Sequence, residues 1–291
     1  MMPSFVTTSA FYSLFYYVAV ISVIYFLVNK SKKFKQHKKP VGKGEKMHRE
    51  AGHSLSIALE SKQEKLLLLL VCVIAVPICL MTGGPNGLEW YLTIPILLIL
   101  AFFGALLIKV KLLHISDLNL GLQGERLVGE TINWLMKDGF DVFHDYPIDP
   151  NGKSGNIDHI VVGPKGVFAI ETKAVRKPTD DSIAKNFEVS FDGKSLNYPH
   201  FSTKRGGMTQ AIHNAQFLSK ELSASLDEPI KVHPILALPG WFVDSNSSSP
   251  LLVLNPKNIR ANILRKDSVI DESLQRKIAH RIKERCQDVS F

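Results

Sequence analysis

Three apolar runs in the first third of this 291-residue chain constrain its fold more than any other sequence feature. They cover about residues 8–28, 66–82 and 90–108, and each approaches the roughly 20 residues that a helix needs to cross a bilayer. None of the runs contains Asp, Glu, Lys, Arg or His, the residues that mark an ion or substrate pathway inside a membrane. We therefore predict three transmembrane helices that act as an anchor, and we disfavour a channel or a transporter.

Lysines beside the runs predict their orientation. They follow the first run (Lys30, Lys32, Lys33, Lys35, Lys38 and Lys39) and the third run (Lys109 and Lys111), whereas the opposite ends carry neither Lys nor Arg. Because positive charge accumulates on the cytoplasmic side, we predict a multi-pass protein of the inner (cytoplasmic) membrane, with its N-terminus outside and its C-terminal domain in the cytoplasm. Residues 29–65 would then form a basic cytoplasmic loop that is flexible or lies against anionic lipid.

Two other interpretations of the apolar runs remain. A signal peptide would need a positive charge ahead of the first run, and none is present. Residues 66–81 could instead form a buried helix of a soluble domain, but the charge asymmetry around them favours the membrane. Because much of the positive charge lies beside the apolar runs, the net charge of +8 is evidence for the membrane topology first and for a nucleic-acid partner only second.

Beyond about Asp117 the sequence has the alternating patterns and turn signals of an α/β domain. We predict a membrane region over residues 1–112 and a second domain over residues 117–291, whose core covers about 118–222 and is followed by C-terminal strands and helices. The predicted helices cover 120–138, 208–222, 256–264 and 271–286. The predicted strands cover 141–146, 156–162, 166–173, 187–191, 195–198, 232–238 and 251–254.

Three charged residues on a predicted hairpin form the candidate reaction centre. Glu171 and Lys173 alternate onto one face of a strand, about 7 Å apart by the rise per residue, and Asp158 lies on the preceding strand. Two carboxylates at one point suit Mg²⁺, and a neighbouring ammonium group can neutralise charge that develops on a phosphate. The competing interpretation is a solvated cross-strand charge pair.

The residues around this centre resemble a known family. The run from Ile157 to Lys173, together with Gly121-Leu122-Gln123-Gly124-Glu125 upstream, is similar to the nuclease-related domain family of the PD-(D/E)xK superfamily. The resemblance covers about residues 118–222 and places Glu125 near the metal at the start of the first helix of the domain. Gln210 matches the glutamine that such domains present to the site from their second helix.

This resemblance implies a restriction-endonuclease-like fold, in which helices flank a central mixed sheet. It also implies cleavage of nucleic acid, most simply DNA, with Mg²⁺ or Mn²⁺ as cofactor. The implied catalytic residues are Glu125, Asp158, Glu171, Lys173 and Gln210, of which Asp158, Glu171 and Glu125 would bind the metal. The lipid bilayer is the second predicted partner.

Other interpretations of these residues remain open. Glu125 could interact favourably with the helix dipole in the first turn of its helix. Asp158 could cap the start of the hairpin, and Gln210 could face solvent. The family usually continues after its lysine with a polar or aromatic residue and a glycine, whereas this chain has Ala174-Val175-Arg176-Lys177-Pro178. The alternative function is therefore a non-catalytic module, tethered to the membrane, that binds nucleic acid or protein. The histidines show no zinc-ligand spacing, and strand alternation points His159 away from Asp158.

Overall fold

The computed structural model describes residues 48–82, 90–149, 155–177, 187–203, 207–245 and 248–287. The chain divides into two compact units. The first comprises Met1–Glu45, Ala58–Asp117 and Phe291, and the second comprises Lys46–Ile57 and Leu118–Ser290. The short segment Lys46–Ile57, which the sequence assigned to the basic loop, thus belongs to the unit that carries the candidate site.

Two long helices begin the described structure, α1 (His53–Thr82) and α2 (Trp90–Asn133). Residues 53–65, predicted as part of a loop, are helical because they contain no glycine or proline and continue directly into the second apolar run. The predicted helix at 120–138 is also not a separate element. It is the end of α2, followed by a 3-10 turn at Trp134–Asp138, because neither glycine nor proline occurs between Gly104 and Gly121 to break the helix.

One stretch of helix within the described residues, Pro95–Asp138, is long and apolar enough to cross a membrane by length and composition. It begins within the third predicted run. The first predicted run, 8–28, lies outside the described residues. The second run is helical as the end of α1, and its role as a membrane span stays a prediction.

A five-stranded mixed sheet forms the centre of the second unit. Its strands are β1 (Asp141–Pro147), β2 (Asn156–Gly163), β3 (Gly166–Thr172), β7 (Val232–Ala237) and β9 (Leu252–Leu254), in that spatial order. β1, β2 and β3 pair antiparallel, while β3, β7 and β9 pair parallel. The predicted hairpin of β2 and β3 is present, with Gly163 opposite Gly166 at its turn.

A second, four-stranded sheet has the order β6-β5-β4-β8. It comprises β4 (Glu188–Phe191), β5 (Leu196–Asn197), β6 (Ser202–Thr203) and β8 (Phe242–Ser245), and β4 pairs parallel with β8. The remaining helices are α3 (Met208–Leu226), α4 (Pro256–Leu264) and α5 (Glu272–Cys286). Asn255 and Asp271 cap the N-termini of α4 and α5, because their side chains accept hydrogen bonds from backbone N–H groups of the first turn.

The core lies on both faces of the five-stranded sheet, because strand side chains alternate. On one face Ile160 and Ala169 pack beneath α3 and α5, where Leu218 and Ile278 are fully buried. The opposite face carries Val161, Phe168 and Ile170 and packs beneath α2 and α4, which contribute Ile132 and Ile259. The prediction of a mixed sheet flanked by helices is therefore confirmed.

Candidate active site

Asp158 lies in β2 on the sheet face that packs against α3, and it is 5% exposed. Its Oδ2 atom accepts a hydrogen bond of 2.7 Å from the backbone N–H of Thr172, the last residue of β3. The bond crosses from one strand of the hairpin to the next. It holds the carboxyl group beside the end of β3, where the strand leaves the sheet.

Glu171 lies on the same sheet face, one residue before the end of β3, and is also 5% exposed. Its Oε2 atom accepts a hydrogen bond of 3.0 Å from the side-chain amide of Asn214. Asn214 is 2% exposed and belongs to the buried stripe of α3. Helix α3 thus contributes a polar group to the site within an otherwise apolar stripe.

Glu125 reaches the site from α2 and is 7% exposed. Its Oε2 atom is buried and has no hydrogen-bond partner among the described residues. The preceding Gly124 allows the helix to approach the strand exit, since a Cβ there would lie 2.8 Å from that of Ala174. The motif was predicted at the start of a helix, but α2 begins at Trp90, so the N-terminal dipole does not account for Glu125.

Lys173 follows β3 directly, and its backbone N–H donates to Ala237 at 2.9 Å. Its side chain is exposed and runs past Gly207 at the N-terminus of α3; a Cβ on Gly207 would lie 3.7 Å from Lys173 Cδ. Gly207 has φ of +90°, a conformation that glycine adopts without strain. The ammonium group stabilises the ionised forms of Asp158 and Glu171.

The three carboxyl groups repel one another in a buried place. Burial and, to a smaller extent, the charges of Asp158 and Glu125 together raise the pKa of Glu171 to about 10. Burial, followed by the charges of Asp158 and Asp145, raises the pKa of Glu125 to about 9. The pKa of Asp158 rises to about 7 through burial, although the Thr172 N–H and Lys173 oppose this shift. Such a group favours either bound protons or a bound cation.

Asp145, which the sequence interpretation missed, is a further acid beside the site. It is fully buried in β1 with φ of +54°, a left-handed conformation that aspartate tolerates better than most residues. Arg49 donates to its Oδ2 atom at 2.9 Å, Ser54 donates to the same atom at 2.7 Å, and Asn156 donates to Oδ1. Asp145 therefore ties Arg49 and Ser54 to the sheet.

His159 is fully buried behind the site. Its Nδ1 atom lies 2.9 Å from Nδ1 of His144, and its Nε2 atom lies 3.2 Å from Oγ1 of Thr172. Burial lowers the pKa of both imidazoles, that of His144 to about 4, so both are neutral. As strand alternation predicted, these contacts lie on the α2 side of the sheet.

Gln210 is exposed on α3, one turn before Asn214. The carboxamide that contacts the carboxyl cluster is that of Asn214, and the role of Gln210 stays a prediction. A sequence signal for Asn214 does exist. It is the polar residue within the apolar stripe Ala211, Ala215 and Leu218, where a helix faces the core.

The described residues contain no group of three or more His, Cys, Asp or Glu side chains arranged to hold a metal ion. A smaller donor set suits Mg²⁺, which proteins bind through one or two carboxylates together with waters and substrate oxygens. Asp158 and Glu171 supply those two carboxylates, and Glu125 adds a carboxyl oxygen for which the described part of the chain provides no hydrogen-bond partner. The residues present therefore fit a hard divalent cation.

Fold and site together define an α/β domain with a buried carboxyl cluster and a lysine at one strand end. The family model described as nuclease-related domain matches residues 120–239, and this part of the chain is a nuclease-related domain. The match confirms the family predicted from the motif and contains all five predicted site residues. It extends beyond the predicted limit of 222, to just after β7. No curated protein and no solved structure matches the chain significantly.

Proposed function

We propose that this chain is a membrane-anchored nuclease that cleaves phosphodiester bonds, most simply of DNA, with Mg²⁺ or Mn²⁺ as cofactor. The domain would work as a restriction-endonuclease-like enzyme of the PD-(D/E)xK type. One observation carries the proposal: three buried carboxyl groups with raised pKa values lie next to the lysine that follows β3. A purely structural site would replace these acids by neutral side chains at lower cost.

Asp158 and Glu171 are the residues that would hold the cation, with Glu125 as the third acidic group. When bound there, Mg²⁺ would supply Lewis acidity and offset the charge of both the carboxylates and the substrate phosphate. Asn214 keeps one oxygen of Glu171 in place, and the Thr172 amide does the same for Asp158. These two hydrogen bonds orient the carboxylates before substrate arrives.

Lys173 and Gln210 would act on the nucleic acid itself. The Lys173 ammonium group is exposed at the strand exit, where it can neutralise charge that develops on the phosphate. Gln210 presents a carboxamide on the exposed side of α3 and would orient the substrate. Trp241 donates to the backbone carbonyl of Val175 at 3.1 Å and so holds the altered strand exit after Lys173.

The membrane anchor is the second part of the proposal. The helix Pro95–Asp138 passes the length and composition test for a span, and the two other apolar runs complete the proposed multi-pass topology. The lysine bias supports an N-terminus outside and a nuclease-related domain in the cytoplasm. Reporter fusions at the N-terminus and after Cys286 would test this orientation, and a cytoplasmic signal from both fusions would contradict it.

The nuclease proposal is tested with the full chain purified in detergent. Wild type should cut linear, circular or single-stranded DNA in the presence of Mg²⁺ or Mn²⁺ and not with EDTA. Asp158→Asn and Lys173→Met should each lower the cutting rate by at least about 100-fold, because each removes a charge from the reaction centre. Lys194→Met, an exposed lysine on the turn between β4 and β5, is the matched control and should cut normally.

The same assay separates the proposal from its alternative. If the Asp158 and Lys173 variants cut like wild type, these residues are not catalytic. If wild type cuts no DNA or RNA substrate but binds DNA, the domain is a binding module. Parallel RNA substrates decide whether DNA is the preferred nucleic acid.

A further inference from the structure

Four side chains form a continuous hydrogen-bonded chain behind the carboxyl cluster. It runs from Thr172 Oγ1 to His159 Nε2 (3.2 Å), from His159 Nδ1 to His144 Nδ1 (2.9 Å), and from His144 Nε2 to Asn133 Oδ1 (3.1 Å). Thr172 and His159 are buried, whereas Asn133 is exposed at the end of α2. The chain thus connects the end of β3 with the protein surface.

The protons in this chain of hydrogen bonds can be placed in one arrangement. Asn133 presents a carbonyl oxygen to His144, so His144 Nε2 carries a proton and donates it. A neutral imidazole has one N–H, so His144 Nδ1 is an acceptor and His159 Nδ1 must donate to it. His159 Nε2 is then bare and accepts from the Thr172 hydroxyl. Every group in the chain is therefore satisfied in one arrangement of protons.

This chain reaches the site through a backbone amide. Thr172 uses its hydroxyl for His159 and its N–H for Asp158 Oδ2, at 2.7 Å. An amide N–H does not pass protons on during a reaction cycle, so the chain is not a route for protons from the site. The hydrogen-bonded side chains instead fix the orientation of Thr172. Because the Thr172 hydroxyl is held by His159, the Thr172 amide stays directed toward Asp158.

The surroundings of the two imidazoles restrict their movement. Gly129 of α2 lies directly over them, since a Cβ there would be 3.5 Å from Cε1 of His144 and 3.7 Å from Cε1 of His159. The two rings meet edge to face, with centroids 5.1 Å apart and an interplanar angle of 88°. Rings packed in this way keep their hydrogen-bonding atoms in fixed directions.

We propose that His159 and His144 are positioning residues, which hold Thr172 and through its amide keep the Asp158 carboxylate oriented to receive a divalent cation. This inference rests on the proposed function. It assigns a role to two histidines that the proposed function leaves without one.

The test compares matched variants of the full chain in detergent. Thr172→Val keeps the shape and the amide but lacks the hydroxyl, whereas Thr172→Ser restores the hydroxyl. Mutation of a residue that hydrogen-bonds to a metal ligand typically lowers metal affinity 10- to 100-fold. Thr172→Val should therefore weaken Mn²⁺ binding about tenfold, measured by electron paramagnetic resonance of free Mn²⁺. Thr172→Ser should stay within about twofold of wild type. His144→Phe should also weaken binding, while the exposed His213→Phe should not.

A second measurement does not depend on metal or on variants. Nitrogen-15 spectra of histidine-labelled wild type should show His159 with its proton on Nδ1 and His144 with its proton on Nε2. If both histidines have the same tautomer, the contact between the two Nδ1 atoms holds either no proton or two. The proposed chain of hydrogen bonds from Thr172 to Asn133 would then be wrong.

The outcomes separate this inference from the proposed function. If wild type binds Mn²⁺ and Thr172→Val binds it equally well, the positioning role is wrong and the nuclease proposal stands. If wild type binds no Mn²⁺, the proposed function fails and this inference fails with it.

Discussion

Replacing Glu171 by glutamine should stabilise the metal-free protein while abolishing cleavage. The pKa of Glu171 is raised from 4.5 to about 10, first by burial and then by the charges of Asp158 and Glu125. Between these two pH values the folded state binds more protons than the unfolded state, so stability falls as pH rises. Glutamine is neutral at every pH and can still accept the hydrogen bond from Asn214.

The size of the effect follows from the pKa shift. At pH 8 an unfolded glutamate is ionised while Glu171 remains protonated in the fold, and each pH unit above 4.5 costs the folded state up to about 1.4 kcal/mol. The upper bound at pH 8 is therefore about 5 kcal/mol. Asp158 and Glu125 share this cost. We therefore expect Glu171→Gln to raise the free energy of unfolding by ~2 kcal/mol, or the Tm by roughly 5 °C for a domain of this size.

The assay follows tryptophan fluorescence, to which Trp241 buried in the second unit contributes, during heating of the full chain in detergent and EDTA. The Tm gain of Glu171→Gln over wild type should be small at pH 5 and large at pH 8. Glu130→Gln replaces an exposed glutamate of α2 and is the matched control, with no gain expected. In excess Mg²⁺ the order should reverse, because the cation stabilises wild type alone.

Two results would refute this reasoning. One is a Tm gain of equal size at pH 5 and pH 8, which would indicate a packing effect in place of an electrostatic one. The other is an equal gain from Glu130→Gln, which would show that removal of any negative charge is sufficient.

Three further predictions follow from the same contacts. Mg²⁺ binding should release protons near neutral pH, which calorimetry in buffers of different ionisation enthalpy would detect, and no dependence on buffer would contradict the raised pKa values. Arg49→Met should lower the free energy of unfolding by about 3 kcal/mol because it leaves the buried Asp145 carboxylate without its ion pair, whereas the exposed Arg126→Met should be neutral in the same Tm measurement. Gly124→Ala should cost about 1–3 kcal/mol despite the better helix propensity of alanine, and Ala174→Gly in the same chain should recover most of that loss if the close approach is the cause.

Local patterns predicted most elements of the second unit. The β2–β3 hairpin, helix α4 and the start of α3 coincide with the predicted segments, because alternation, caps and turn residues act over a few neighbours. Strand β8 (Phe242–Ser245) was missed. It is short, lacks a regular burial alternation, and is defined by parallel pairing with β4, more than 50 residues earlier in the chain. Such pairing leaves no local signal.

The candidate site divides in the same way. Asp158, Glu171 and Lys173 were recognisable because they lie close together on one hairpin with a motif around them. Asp145 was not recognisable, because its role depends on Arg49 from a distant segment and on an unusual backbone conformation. His144 was dismissed for lack of ligand spacing, yet it pairs with His159 across two strands through the register of β1 and β2.

The sequence by itself determined the apolar runs, the charge beside them, the β2–β3 hairpin and its acid and lysine residues, since these depend on near neighbours and on side-chain chemistry. Only the tertiary structure decided that the predicted helix 120–138 is the end of α2 and that Glu125 meets the hairpin acids. It also decided that Asn214 and Thr172 hold those acids in place. Burial and the repulsion between groups from different elements raise the pKa values of these carboxyl groups, and both arise only when the chain is folded.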